Sequence, residues 1–312
     1  MPGLEDYVVA IPSYKRPDTL KNKTMKVLKH YGIEPRRIYI FVADTEQKAI
    51  YEAALDPKDY HKIIVGVPGI KNIRNFMPKY FREGQHIFYM DDDIYKVYDT
   101  ENSSGDLKNK KANRQVPLKS LKKLIAQGFA LSKKTGFTNW GVYPANNPYF
   151  MKARTNNIND YVSTNLVYII GFMTGVINNR EAEIRTIDDK EDYERSIKYY
   201  LKDGGLLRFN NVTCLTRCYK EPGGMQVERT AKRIHDSAVY LTEQYPLLCT
   251  LNTSKKSGYT EIRLRDRRTE EEKSKALKAN KSKKKSKTKK SKSLLKKKKS
   301  LILNLKVFFI FN

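Results

Sequence analysis

Three consecutive aspartates, Asp91-Asp92-Asp93, directly follow the apolar run Ile87–Met90. Because side chains alternate along an extended chain, Asp91 and Asp93 are predicted to share one face, with Asp92 on the other. Two carboxylates on one face repel each other unless a cation lies between them, and Mg²⁺ or Mn²⁺ prefers oxygen ligands. We therefore predict a divalent-cation site at Asp91 and Asp93 that would bridge to phosphate oxygens. An acidic turn that caps the next helix is the alternative.

A second cluster, Lys71-Asn72-Ile73-Arg74-Asn75, opens a helix predicted over residues 71–81. A helix N-terminus that carries Lys71 and Arg74 would form an anion site. Positive charge is unfavourable at a helix start unless an anion lies nearby, which favours a phosphate ligand. A solvated basic first turn is the alternative.

The carboxylates Glu191 and Asp192 start an amphipathic helix predicted over residues 190–201. Their functional interpretation is a general base that deprotonates an acceptor hydroxyl. Their structural interpretation is charge complementarity with the helix dipole. His235, on a later helix, is a tentative further metal ligand, although a lone histidine more often has a structural role.

Two segments are candidates for an acceptor site. Gly223 and Gly224 give the loop 221–225 the backbone freedom for close approach to a ligand. Trp140 and Tyr143, followed by Asn146-Asn147, would form a wall on which a sugar or a flipped base stacks. Packing in the core is the alternative for the aromatic pair.

Strands and helices alternate along the first ninety residues. The predicted strands are 7–11, 37–42, 61–65 and 86–90, and the helices between them are 18–30, 46–55 and 71–81. This alternation predicts an α/β three-layer sandwich with a mostly parallel sheet. Ligands of such sheets bind at the carboxyl ends of the strands, where residues 12–16, 44 and 91–93 fall. The later predictions are a loop at 99–116, helices at 117–133, 190–201 and 227–245, and strands at 166–177 and 206–215.

The charge of the chain is strongly positive. Its 312 residues include 61 Lys and Arg against 34 Asp and Glu, a formal net charge of +27. Sixteen Lys and three Glu lie in residues 269–312, so this segment carries +13 and the preceding part the remaining +14. A basic globular part favours an anionic partner such as nucleic acid, a membrane or a phosphorylated small molecule, although a generally lysine-rich composition would also explain it. The Lys/Ser repeats from residue 268 onward predict a disordered basic tail.

Three further features concern the compartment. The three cysteines, Cys214, Cys218 and Cys249, favour buried thiols in a reducing compartment over a disulfide framework. The N-terminal sequence MPGLEDYVVAIPSYK favours a strand over a signal peptide. No apolar run reaches the ~18 residues of a membrane helix, and the apolar end, Leu301–Asn312, is too short to span. The sequence thus predicts an intracellular protein, in the cytoplasm, the nucleus or a virus-infected host cell, that is not secreted.

The chain resembles GT-A fold glycosyltransferases over about residues 5–215. The resemblance rests on four segments in this order: IPSYKRP, KNIRN, a strand that ends in DDD, and EDYERSIKYYLKDGG. The resemblance implies a metal-dependent hexosyltransferase that moves a hexose, with glucose as the expected sugar, from a nucleotide sugar such as a UDP-sugar to a hydroxyl. It implies Mn²⁺ or Mg²⁺ at Asp91 and Asp93 and, in an inverting member, Asp192 as the base. The residues expected to contact the donor are Pro12, Ser13, Tyr14, Arg16, Asp44, Lys71, Asn72, Arg74, Asn75 and Asp92. Residues 1–100 would be the nucleotide-sugar half and 101–267 the acceptor and catalytic half of one domain, before the tail at 268–312.

A narrower resemblance rests on IPSYKR, FYMDDDI and the later Pro-Gly-Gly-Met-Gln at 222–226. These segments look like the TET-associated and base-J-type glycosyltransferases of phages, large viruses and protists, which implies hydroxymethylated pyrimidine in DNA as the acceptor. A basic chain suits a duplex substrate. Three alternatives stay open: a glycan or protein glycosyltransferase, a nucleotidyltransferase, and a nucleic-acid-binding protein without enzymatic activity. A nucleotidyltransferase usually has a glycine-rich loop after strand one, where this chain reads PSYKRPD.

Overall fold

The computed structural model describes residues 6–216, 230–252, 259–276 and 278–279. Residues up to Arg267 form one compact unit, and those from Arg268 onward form a second. The predicted acceptor residues Gly223 and Gly224, Cys218, and most of the predicted tail, including Leu301–Asn312, lie outside the described residues.

Four parallel strands carry the first half of the chain. They are β1 (Tyr7–Pro12), β2 (Ile38–Val42), β3 (Lys62–Val65) and β4 (His86–Met90). The helices between them are α1 (Pro17–Asn22), α2 (Thr24–His30), α3 (Thr45–Ala54) and α4 (Ile70–Tyr80). The strands are almost continuously apolar because both faces of the sheet are covered. The one helix predicted over 18–30 is two helices, separated at Lys23.

The second half completes an eight-stranded sheet. It adds β7 (Asn139–Val142), β8 (Val162–Ser163), β9 (Met173–Ile177) and β10 (Leu207–Phe209), in the order β3-β2-β1-β4-β9-β7-β10-β8. Only β9 and β8 run against the other strands, so the sheet is mostly parallel. Because β9 lies between β4 and β7, the segments 1–100 and 101–267 share one sheet.

Helices cover both faces of this sheet. Alternate residues of β1 point to opposite sides, with Val9 and Ile11 in one hydrophobic core and Val8 and Ala10 in the other. The first core is closed by α2, α3 and α5 (Leu121–Thr135), and the second by α4, α6 (Glu191–Asp203) and α7 (Ala231–Gln244). The predicted three-layer α/β sandwich is thereby confirmed. No described helix has the length and apolar content needed to cross a bilayer.

Two small antiparallel sheets complete the fold. One contains β5 (Lys96–Asn102), β6 (Asn113–Pro117) and β11 (Thr213–Leu215), and the other β12 (Cys249–Asn252) and β13 (Glu261–Leu264). The prediction of a loop over 99–116 is therefore wrong, because β5 and β6 pair as a hairpin between residues 96 and 117. Backbone pairing supplies the ladder hydrogen bonds whatever the side chains are, so polar composition hid these strands.

Other boundaries differ for local reasons. Pro117 ends β6, and α5 begins only at Leu121, where the Ser120 hydroxyl accepts a hydrogen bond from the Lys123 amide. The strands predicted over 166–177 reduce to β9, and the strand predicted over 206–215 divides into β10 and β11, which belong to different sheets. Of the predicted tail, residues 270–276 are helical, and Thr269 and Glu272 cap this helix by exchanging hydrogen bonds.

Trp140 lies in the core and not on a binding wall. It is fully buried in β7, stacks on Phe88 and meets Phe129 and Phe209 edge to face. A side chain without exposed surface offers nothing to an acceptor, so the structure contradicts its predicted role and supports core packing. Glycine at position 175 provides the space for the indole, since a Cβ there would lie 2.2 Å from indole atoms.

We expect Gly175→Ala to destabilise the protein by roughly 1–3 kcal/mol or more, because the indole is enclosed and cannot move aside. Chemical denaturation with matched m-values would measure the loss. In a Trp140→Leu background, which removes the indole, the same substitution should cost much less. An equal loss of stability from Gly175→Ala in the two backgrounds would contradict the close contact between Gly175 and the indole of Trp140.

Candidate functional site

The aspartate triplet lies at the carboxyl edge of the sheet, directly after β4. Its backbone turns here and does not continue as a strand, because a buried threonine bridges it. The Thr24 hydroxyl donates to the carbonyl of Asp91 at 2.7 Å and accepts from the amide of Ile94 at 3.0 Å. The alternation of an extended chain therefore does not apply to the triplet, and the predicted sharing of one face by Asp91 and Asp93 loses its premise.

Asp92 faces the loop after β1. It is fully buried; the Ser13 hydroxyl donates to its carboxylate, and Arg16 places Nε at 2.7 Å and Nη2 at 2.6 Å from its two oxygens. Burial raises the pKa of Asp92, and Arg16 opposes that rise. The predicted donor residues Ser13, Arg16 and Asp92 are thus brought together, but they bind each other and join the β1 loop to the triplet.

Two residues of α3, which the sequence argument missed, fix the same loop. The Tyr51 hydroxyl lies 2.6 Å from the Ser13 hydroxyl and accepts a hydrogen bond from the Arg16 amide. The Gln47 side chain accepts from the amide of Lys15, whose φ of 55° is unusual for a residue other than glycine. Gln47 and Tyr51 are one turn apart on the buried face of the helix, which was the available signal.

Asp93 is the residue of the triplet without a partner. It is 6% exposed and makes no hydrogen bond or ion pair with the described residues. Burial raises its pKa to about 7, and the neighbouring charges of Asp91 and Asp92 add to that effect. The charges of Arg16 and Lys23 oppose this rise without outweighing it. A buried carboxylate without a direct partner is where a cation would bind most favourably.

The donor set at the triplet is small. In the described part of the chain, no three His, Cys, Asp or Glu side chains are grouped to hold a metal ion. Mg²⁺ commonly takes only one or two carboxylates, with waters and substrate phosphates as its other ligands. In the described structure Asp91, 30% exposed, is paired with Arg74, and Asp93 is the carboxylate of the triplet that has no direct partner.

A row of alternating charges leads from Asp91 into the core. Nη2 of the buried Arg74 lies 2.5 Å from Asp91, and its Nε lies 3.5 Å from Glu191. Arg185 continues the row, with Nε 2.8 Å from Glu191 and Nη2 3.1 Å from Glu183. Burial disfavours ionisation of Glu191, but Arg185 and Arg74 outweigh it and hold its pKa below the usual value. Glu191 therefore orients Arg74 and is unsuited to act as a base.

Asp192 differs from its neighbour. Its carboxylate accepts hydrogen bonds from the Tyr168 hydroxyl and, at 3.3 Å, from the Gly171 amide. Burial raises the pKa of Asp192, and the adjacent charge of Glu191 adds to the rise. The space at position 171 is tight, since a Cβ there would lie 3.3 Å from a Glu191 carboxylate oxygen. A carboxylate with a raised pKa is suited to take a proton from a hydroxyl.

The remaining residues of the K-N-I-R-N segment face elsewhere. The Lys71 amide donates to Asp188, and its ammonium lies 3.9 Å from the same carboxylate. Asn72 donates to the carbonyl of Pro68, while Asn75 exchanges two hydrogen bonds with the backbone of Arg185. Arg74 is thus the residue of this helix that the structure places at the triplet.

The other predicted site residues occupy different surroundings. Asp44 caps α3 by accepting from the Gln47 amide, and Pro12 ends β1. Tyr14 lies 5.1 Å below the Lys15 ammonium, and the Tyr143 ring lies 5.1 Å from the Arg208 guanidinium. The donor contacts of Asp44, Pro12 and Tyr14 and the acceptor contact of Tyr143 therefore stay predictions.

His235 is on the exposed side of α7. Its Nδ1 lies 2.9 Å from the hydroxyl of Thr260, and no acidic side chain in the described ranges joins it in a metal-binding group. Its surroundings therefore resemble those of a surface histidine.

No protein-family model matches the chain, and no curated protein sequence matches it. Among solved structures, it is similar to the mannose-1-phosphate geranyltransferase from Thermus thermophilus, with a TM-score of 0.28 and 10% sequence identity. The similarity covers 68% of this chain and 57% of that chain, so this chain spans less than two thirds of its neighbour's length. A likeness this distant says nothing about what this chain binds or transfers.

Proposed function

We propose that this protein is a metal-dependent glycosyltransferase that moves a hexose from a nucleotide sugar to an acceptor hydroxyl. One observation carries the proposal: Asp93, nearly buried and without a partner among the described residues, lies at the carboxyl edge of a mostly parallel sheet beside Asp91 and Arg74. Ligands of such sheets bind at this edge. The order of motifs that resembles GT-A glycosyltransferases supports the same conclusion.

In this proposal the triplet and the K-N-I-R-N helix receive the donor diphosphate. Asp91 and Asp93 would hold Mn²⁺ or Mg²⁺, which supplies charge neutralisation for the departing diphosphate. Arg74 offers an amino group, Nη1, that is buried and has no hydrogen-bond partner in the described structure. It would thus add a second positive charge beside the phosphates.

Asp192 would be the base. Its carboxylate takes the proton of the acceptor hydroxyl as the acceptor oxygen bonds to the anomeric carbon and the bond to the diphosphate breaks. The raised pKa of Asp192 makes its carboxylate a stronger base for this proton transfer. Glu191 would hold Arg74 in place, because two arginines keep Glu191 ionised.

The acceptor proposed here is a hydroxymethylated pyrimidine in DNA, with glucose from a UDP-sugar as the donor group. The narrower resemblance supports it, as does the charge of +14 on residues 1–268. A glycan or protein hydroxyl is the competing acceptor.

A donor panel tests the activity. UDP-glucose and other nucleotide sugars, each with and without Mn²⁺, should raise the melting temperature of the protein only when the cation is present. Labelled sugar should then transfer to hydroxymethylated DNA and not to unmodified DNA. Label found in glycans alone would overturn the DNA acceptor, and no shift with any nucleotide sugar would overturn the transferase.

A further inference from the structure

The β5–β6 hairpin and the segment 147–151 form a surface that the site does not use, here called the hairpin surface. It carries three exposed large apolar side chains: Leu107 at 47%, Tyr149 at 48% and Phe150 at 62%. Phe150 is the most exposed of the large hydrophobic residues that the structure describes. Tyr149 and Phe150 are consecutive and meet edge to face, with ring centroids 5.1 Å apart.

Backbone and side-chain hydrogen bonds hold this aromatic pair in place. The Asn113 amide group donates to the carbonyls of Pro148 and Met151, at 3.2 and 3.1 Å, and thereby fastens the segment to β6. The Asn147 side chain accepts from the Tyr149 amide at 3.1 Å. The two rings are exposed on a fixed turn, so displaying them costs little conformational entropy on binding.

Positive charge surrounds the pair. The 3-10 turn Lys110–Ala112 packs against the turn Pro148–Phe150, so the exposed Lys110 and Lys111 lie on the turn beside the one that carries the rings. Lys108 on the hairpin and Lys152, which directly follows the segment 147–151, are also exposed. Of the acidic residues of the hairpin, Asp99 is buried, Glu101 pairs with Arg114, and Asp106 is exposed. Four exposed lysines therefore stand against one exposed carboxylate, which suits a polyanion.

We propose that the hairpin surface binds single-stranded nucleic acid. Exposed aromatic rings beside lysines are the combination that such strands require, because bases stack on the rings and phosphates pair with the ammonium groups. A folded protein partner would instead need a broader apolar area, and a duplex would keep its bases away from Tyr149 and Phe150.

Strand β5 connects the aspartate triplet to the hairpin surface along the chain. Strand β5 begins at Lys96, three residues after Asp93, and its seven residues reach about 20 Å to the level of Asn102 and Asn113. A strand of several nucleotides spans that distance. The idea that the bound strand presents an acceptor to the triplet rests on the proposed function. The binding of the strand to the hairpin surface does not depend on that function.

Fluorescence anisotropy of a labelled oligonucleotide, with the full chain and without nucleotide sugar or metal, tests the proposal. Phe150→Ala should weaken single-strand binding roughly five- to hundred-fold, as expected for the loss of base stacking. Phe150→Leu, which keeps an apolar side chain but has no ring, should weaken single-strand binding nearly as much. Phe150→Trp, which keeps an aromatic ring, should bind the single strand about as tightly as the wild type. Lys110→Glu with Lys111→Glu should lower the salt dependence of binding more than Lys133→Glu with Lys134→Glu, an exposed pair on α5.

Several results would overturn the proposal. Unchanged single-strand affinity of Phe150→Ala, or duplex binding that is tighter and insensitive to the ring, would mean that phosphates alone are recognised. A change in sedimentation of Phe150→Ala without a change in affinity would mark the surface as a contact between copies of the chain. Ring-dependent binding without sugar transfer to any acceptor would disprove the transferase and leave this inference standing.

Discussion

Asp93→Asn is expected to have opposite effects on activity and on stability. Sugar transfer should fall by two to three powers of ten, about 3–4 kcal/mol in the barrier, because the cation loses a ligand. In the absence of metal, the variant should be more stable than the wild type at pH 8, because a buried charge without a partner is removed. Few substitutions at a merely structural acidic residue would produce both results.

The pH dependence follows from the raised pKa of Asp93, about 7 against an ordinary value of 3.8. Between these values the folded protein holds a proton that the unfolded chain has released. The free energy of unfolding of the wild type therefore falls as the pH rises from about 4 to about 7. Asp93→Asn lacks this contribution, so its advantage should be near zero at pH 4 and roughly 4 kcal/mol at pH 8.

Urea denaturation at several pH values, with a chelator present, measures this difference. Asp236→Asn is the matched control, since that side chain is 54% exposed and pairs only with Lys232 on the surface of α7 within the described structure. Asp236→Asn should leave the rate of sugar transfer unchanged, and its free energy of unfolding should show no pH-dependent gain over the wild type. A loss of stability for Asp93→Asn at pH 8 would mean that the carboxylate has a favourable partner in the folded protein.

Asp192→Asn should slow transfer by roughly two to four powers of ten while leaving donor affinity and metal dependence unchanged. The base acts in its ionised form, so wild-type activity is lost as the pH falls through the raised pKa of Asp192. The residual activity of the variant should lack this acidic limb. Single-turnover rates across pH, with donor binding measured separately, would show it.

Substitutions of two residues that contact Asp192 or adjoin it in the sequence would distinguish the role of the base from that of its neighbours. The Tyr168 hydroxyl stabilises the carboxylate, so Tyr168→Phe should move the acidic limb to higher pH without removing activity. Glu191→Gln breaks a buried pair with two arginines and should cost about 3–5 kcal/mol of stability. If Asp192→Asn proved as destabilising as Glu191→Gln and kept full activity, Asp192 would be a structural residue.

The sequence predicted which residues lie together at this edge of the sheet, but not which of their charges pair. The motif positions placed Ser13, Arg16, Arg74 and the aspartate triplet at one sheet edge, because parallel strands end together. Spacing along the chain says nothing about which charges neutralise each other. That Arg16 pairs with Asp92 and Arg74 with Asp91 depends on the turn that Thr24 bridges.

The sequence by itself determined the alternation of strands and helices in the first half of the chain. Apolar strands and amphipathic helices have local periodicities, and they gave β1 to β4, the mostly parallel sheet and the edge at which Asp91-Asp92-Asp93 lies. Only the tertiary structure decided that Trp140 is core, that residues 96–117 form a hairpin, and that Asp93 has no partner among the described residues. Each of these depends on contacts between segments distant in the chain, such as Trp140 with Gly175 or Thr24 with Asp91. Local patterns do not encode such contacts, because the same residues would satisfy a different set of neighbours equally well.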